Sequence, residues 1–216
     1  MLRTSSTSRS VTGMGFYADQ VLPRAIDKAL GRSVDPLRAR VTAGLSGEVL
    51  EVGFGSGRNV PHLPSGVTRL VAVDPAVVGR KLAAGRLAAS PVPVEFIGLD
   101  GESLPMPDES VDHVLVTWTL CTIPDVDRAL REMHRVLRPG GALHFVEHGQ
   151  SPHPKAARRQ RQLGPVWGRL AGGCHLDRPI PELVAAAGFD TSAVRSYRDR
   201  GPEWVSRMYE GVAHKH

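Results

Sequence analysis

The sequence predicts an α/β fold, a doubly wound and mostly parallel sheet with helices on both faces. Three observations predict it. Short β-branched runs alternate with longer helical patterns from about residue 48 onward. The first of these runs, Val49-Leu50-Glu51-Val52, enters Gly53-Phe54-Gly55-Ser56-Gly57-Arg58-Asn59, with glycine at every second position. The next run closes on Asp74-Pro75. Element by element, Glu48 to Gly53 reads as the first strand and Arg69 to Val73 as the second. Proline cannot donate to the ladder, so Pro75 ends that second strand. Ala76 to Ala89 is rich in alanine and leucine and reads as helix. Pro93 to Ile97 and Val111 to Thr117 are the third and fourth strands. Val126, Ala129, Leu130, Met133 and Leu137 form a helical stripe, with Asp125 as N-cap and Pro139-Gly140-Gly141 as the stop. Ala142 to Val146 is the fifth strand. One or two helices are expected in 14–45, more helix in 151–187, and the closing strands in 188–216.

A chain of 216 residues can bury one substantial core. With 41% hydrophobic and 23% charged residues its composition is that of an ordinary globular protein. No stretch approaches the apolar length of a membrane-spanning helix. The Ser- and Arg-rich start lacks the apolar segment of a secretory signal, so residues 1–12 read as a disordered tail. Cys121 and Cys174 form no disulfide framework, which fits a cytoplasmic location. No Cys-x-x-Cys or His-x-x-x-His spacing accompanies Cys174, so no metal is expected. The net charge is +5, with part of the excess in Lys155, Arg158, Arg159 and Arg161. That run reads as a solvated helix face, and no aromatic-studded strand accompanies it, so nucleic acid is not an expected partner.

The alternating glycines require a backbone that a ligand approaches closely. A dinucleotide fingerprint would need its third glycine at position 58, which is Arg58, and this argues against a nicotinamide-dependent oxidoreductase. Asp74 stands about 20 residues past the loop, where a carboxylate can accept from both ribose hydroxyls; a turn-forming Asp-Pro is the other reading. Leu99-Asp100-Gly101-Glu102 follows the third strand, as either an adenine-reading carboxylate or a surface turn. Thr117-Trp118-Thr119-Leu120-Cys121 follows the fourth, lining the ligand or filling the core.

These motifs, with Asp100 to His113 and Leu130 to Gly141, resemble the core of the class I S-adenosylmethionine (SAM) methyltransferases over roughly residues 48–148. The resemblance implies a Rossmann-like, seven-stranded sheet and SAM as cofactor, with S-adenosylhomocysteine as its product. It implies that Glu51, Gly53, Gly55 and Gly57 cradle the methionine part, with Phe54 in the same loop. Asp74, followed by Pro75, would hold the ribose; Asp100 and Gly101, with Glu102, the adenine; Thr117 and Leu120 the sulfonium end. Phe145-Val-Glu-His148, Gly164-Pro165-Val-Trp167, Gly173-Cys174-His175-Leu176 and Ala187-Gly188-Phe189 are similar to the animal thiol methyltransferases of the methyltransferase-like group. Those proteins begin with an apolar membrane anchor and this chain begins with a polar tail, so no membrane anchor is expected.

One domain over 13–216 is expected, with an N-terminal helical lid at 13–47, a SAM-binding core at 48–148, a helical substrate lid at 149–187 and C-terminal strands at 188–216. The acceptor is expected to be a small molecule, foremost a thiol; O- or N-methylation of a metabolite or lipid amine and non-catalytic SAM binding are the alternatives. His148, at a strand end, is the candidate catalytic group, and Tyr17, Trp167, Cys174 and His175 are candidate substrate contacts. Phe16 lies beside Tyr17 in the first lid, and Cys174 reads as a small packing residue in the second. A monomer or homodimer is expected.

Overall fold

The computed structural model describes residues 31–75, 77–98 and 100–216. Phe16 and Tyr17 lie outside them, as does most of the first lid. Helix α1 (Asp35–Thr42) precedes β1 (Gly47–Val52). There follow β2 (Val67–Val73), α2 (Val77–Ala88), β3 (Val94–Gly98), β4 (Val111–Thr117), α3 (Val126–Val136) and β5 (Leu137–His148). Two further helices, α4 (Pro154–Leu170) and α5 (Ile180–Ala186), lead to β6 (Phe189–Asp190), β7 (Arg195–Arg198), the short α6 (Glu203–Ser206) and β8 (Arg207–Lys215).

All eight strands join one sheet in the order β3-β2-β1-β4-β5-β8-β6, with β7 also on β8. β6 pairs with Lys215 and His214 of β8 and β7 with its Arg207–Glu210 end, so the two short strands share one position and the sheet is seven strands wide. β1 to β5 are parallel and β8 runs antiparallel to β5. Strand order reverses at β1, between β2 and β4, and in an open α/β sheet that reversal leaves a crevice at the carboxyl ends of the strands.

Alternation along β1 sends Leu50 and Val52 into one core and Val49 into the other. Helix α3 turns its whole apolar stripe, Val126, Ala129, Leu130, Met133 and Val136, onto the first of these, and the Asp125 carboxylate caps it by accepting from Arg128 N at 3.0 Å. β5 departs from expectation by starting at Leu137 rather than Ala142. Pro139-Gly140-Gly141 is absorbed as an irregular start, with Gly140 at φ +77° and a register shift opposite Val111–His113. No helix among the described residues is long and apolar enough to cross a membrane.

Candidate functional site

The loop after β1 carries three left-handed glycines, Gly53 (φ +81°), Gly55 (φ +56°) and Gly57 (φ +70°), a region L-side chains rarely enter. Their neighbours differ. A Cβ on Gly53 would overlap the Thr119 side chain, and one on Gly57 would meet Phe54 Cζ at 2.9 Å. Only at Gly55 would a Cβ find open space, its nearest atom being Gly53 O at 4.0 Å. The sequence reading reserved all three for a ligand; at Gly53 and Gly57 the protein itself occupies the room. Phe54 is likewise turned away: its ring is buried edge-on against Phe96, centroids 5.0 Å apart, so only its backbone faces the crevice. Apolar area draws that ring into the second core.

Beneath the loop lies a buried polar network that the sequence reading did not assemble. Asn59 Nδ2 donates to Glu51 Oε1 at 2.7 Å and to Thr117 Oγ1 at 3.1 Å, while its own Oδ1 accepts from Arg38 at 2.7 Å. Arg38, from α1, lies 4.8 Å over the Trp118 ring. Trp118 sits at φ +52°, a costly conformation for a bulky residue and one that clusters at functional sites. Glu51 Oε2 and Arg38 Nε are buried without a hydrogen-bond partner among the described residues. Burial raises the Glu51 carboxyl to about 8 against the pull of Asn59 and Arg38, and burial likewise lowers Arg38 to about 10.

Asp74 is buried at the end of β2, and its Oδ2 accepts from Gly55 N at 2.7 Å, tying strand to loop. Pro75 is exposed beside it. Asp100 is exposed and Oδ1 accepts from Glu102 N at 2.8 Å, the tight Asx turn weighed as one reading. Glu102 in turn accepts from Asp125 N at 2.9 Å, and a Cβ on Gly101 would press on Val52 at 2.8 Å. Leu120 is fully buried in the first core, so its side chain is sealed from the crevice and only its backbone can face a ligand.

Across the crevice, Glu147 clamps the loop after β4. This wholly buried carboxylate accepts from Thr119 N (2.7 Å), Leu120 N (3.0 Å) and Cys121 N (3.2 Å). Burial lifts it to about 7, opposed by those three N–H groups and by His148. β4 and β5 lie in register at Thr117 and Val146, which puts Glu147 beside the loop it holds. Arg178 adds hydrogen bonds to the Leu120 and Pro124 carbonyls. A carboxylate ending an apolar run, Phe145-Val146-Glu147, is the same sequence signal that marks Glu51.

Cys121, His148 and Cys174 meet beside this clamp, with their ligand atoms all within 4.8 Å of one another. Both cysteines are buried with Leu176, against Trp167, whose Nε1 is a buried donor lacking a partner among the described residues. Cys174 packs in this apolar cluster and also stands beside Cys121 and His148. The neighbouring Cys121 thiol, with His148 beside it, lowers the Cys174 thiol, while Cys174 and burial push Cys121 up. His175 is exposed, and it is its backbone N that reaches the site, donating to Cys121 O at 2.7 Å.

Residues 50–145 match the family described as "Methyltransferase domain". The thiol S-methyltransferase TMT1B of Homo sapiens is 36% identical over 169 residues, 75% of this chain and 68% of that protein. Its Rattus norvegicus counterpart is 38% identical over 152 residues, 68% of this chain, which spans 62% of that relative's length. A phosphatidylethanolamine N-methyltransferase of Cereibacter sphaeroides is 31% identical over 171 residues, 74% of this chain and 79% of that protein. In fold, the chain is similar to a putative methyltransferase from Bacillus halodurans, TM-score 0.69 at 19% identity, over 85% of this chain and 99% of that one.

Proposed function

The chain belongs to the class I S-adenosylmethionine-dependent methyltransferases, and on that premise we propose that it methylates a small thiol. The observation that carries the thiol is the likeness to TMT1B, which extends beyond the matched methyltransferase region. The residues present fit the cofactor. Its methionine end bears one ammonium and one carboxylate, and the buried network offers one orphan acceptor, Glu51 Oε2, and one orphan donor, Arg38 Nε. Gly55 leaves the open cradle above them. In this reading Glu51 and Arg38 hold the methionine end, with the backbone of Gly53 to Gly57 around it. Asp74 holds the ribose, and the turn from Asp100 to Glu102 receives the adenine. Thr117 and the Leu120 backbone border the sulfonium.

When bound, the cofactor supplies a methyl group on a cationic sulfur. The chain's task is to hold an acceptor in line at near-attack distance and to exclude water. A free thiol ionises near pH 8.5, so part of it is already thiolate at neutral pH and a dedicated base is not required. His148 is the acceptor-side catalytic group, with Cys174 and Trp167 lining the same end. Residues 149–187, carrying α4 and α5, serve as the acceptor lid.

The test is transfer from SAM labelled at its methyl group, offered small thiols beside matched phenols, amines and lipid amines. Preferential labelling of thiols is expected. Labelling of amines or phenols instead would overturn the acceptor, and tight SAM binding without turnover on any of them would overturn the enzymatic reading.

A further inference from the structure

The Cys121–His148–Cys174 cluster belongs to no part of the cofactor site, and its composition is that of a metal centre. We propose that these three side chains bind a thiophilic divalent cation, zinc above all, leaving a fourth coordination position for the acceptor thiol. Three ligands of Cys₂His type with one open position are the pattern of a catalytic rather than a closed structural zinc site. The ligand atoms lie within 4.8 Å of one another. Tetrahedral zinc with Zn–S near 2.3 Å and Zn–N near 2.0 Å asks for edges of about 3.5 Å, so side-chain rotation of an ångström or so closes the site.

Each ligand is carried on anchored backbone. Glu147 Oε2 accepts from Cys121 N, His175 N donates to Cys121 O, and His148 ends β5 in register with Met208 of β8. Leu176, Trp167 and Trp204 surround the cysteines with apolar surface, which keeps water from competing for the metal. A cation there binds both sulfurs as thiolates, their protons leaving to solvent, and the two thiolates balance its charge with His148 neutral.

The role follows from the thiol reading and rests on it; the metal site does not. A thiol entering the fourth position forms a metal–sulfur bond and loses its S–H proton to solvent, with no change in oxidation state. It is then a thiolate at a pH where free thiols are mostly protonated.

The experiment is to strip the full chain with a chelator under a phosphine reductant and titrate it with Co²⁺, then Zn²⁺. One equivalent of cobalt should produce a sulfur-to-cobalt charge-transfer band with intense tetrahedral visible bands, and zinc should bleach both. Cys121→Ser and Cys174→Ser should each weaken the band and lower zinc affinity by more than the ~10–100-fold typical of changes outside the ligand shell. His148→Ala should do the same to affinity while leaving the charge-transfer band. SAM binding, retained in every variant, reports that each is folded. A wild-type chain that binds SAM but gives no charge-transfer band overturns the site, as does one whose two cysteines prove to be joined as a disulfide. Added 2-mercaptoethanol should shift the cobalt spectrum; a spectrum unmoved by a thiol that is nonetheless methylated overturns the role. Methylation of amines instead of thiols, with the band present, supports the site and overturns only the thiol reading.

Discussion

At the carboxyl end of β1 the proposed cofactor side is built from consecutive backbone, Gly53 to Gly57, closed by one carboxylate from the neighbouring strand, Asp74. Across β4 the proposed acceptor side is assembled differently, from Cys121, His148 and Cys174 on three separate segments, with Glu147 holding Cys121 N. The first side is shaped mainly by local conformation, the left-handed glycines of one loop. The second depends on distant elements staying in register. Thr119 joins the two, since it fills the space a Gly53 Cβ would need and gives its N–H to Glu147.

The strongest way to break this contrast is Glu147→Ala. Three buried N–H groups lose their acceptor, and each buried unsatisfied donor costs about 1–3 kcal/mol. A stability loss of at least about 3 kcal/mol is expected, lowering Tm by roughly 6–12 °C in a thermal melt. Glu147→Gln, keeping one acceptor oxygen, should lose distinctly less. A melt of Glu147→Ala within 2 °C of wild type would show that the loop is held by other means.

Asp74→Ala acts on the other side alone. SAM binding should weaken by about 1–3 kcal/mol, read by calorimetry, as buried ribose hydroxyls lose their acceptor and Gly55 N its tether. Cobalt binding at the cysteine cluster should be unchanged, which sharpens the separation between the two sides.

Gly55→Ala separates shape from stability. The new Cβ meets open space, so the melt should reflect only the left-handed backbone, about 1–2 kcal/mol. SAM affinity should nevertheless fall at least ~10-fold, because the methyl group occupies the cradle. Equal affinity would place the ligand elsewhere.

Glu51→Gln tests the orphan acceptor through pH. Burial raises this carboxyl from 4.5 to about 8, so between those values the folded chain keeps a proton that the unfolded chain releases. The stability from that neutral form is present in acid and lost as pH climbs from about 4.5 through about 8. Glutamine removes the loss, so the variant should melt higher than wild type at pH 8, by about 2–4 °C per kcal/mol recovered, and match it near pH 4.5. It should also bind SAM more weakly. In wild type at pH 6.5, where a free α-ammonium is fully charged, SAM binding should release a fraction of a proton, visible as buffer-dependent binding enthalpy. Proton-neutral binding would separate Glu51 from the ammonium.

Much of the fold is legible in local patterns. The stripe of α3, its Asp125 cap and the five parallel strands follow from period and capping chemistry, which act over a few residues. β5 is longer than its hydrophobic run because strand pairing carries the ladder back through Pro139-Gly140-Gly141 to the helix end. On the cofactor side, the glycine loop and Asp74 stand out because each must adopt a special conformation or terminate a strand. Arg38 and Asn59 do not stand out: a charged residue on a helix and an amide after a loop are ordinary until tertiary contact buries them together.

The sequence by itself determined the alternating α/β order, the glycine loop, the acidic strand ends and the family likeness, because each is written in neighbouring residues. Only the tertiary structure decided which glycines make room for the protein's own side chains and which leave open space. It also turned Phe54 inward and brought Cys121, His148 and Cys174 within 4.8 Å of one another. Spacing rules for metal ligands read along the chain, whereas these three converge only once the β4 loop, the end of β5 and the turn after α4 are packed together.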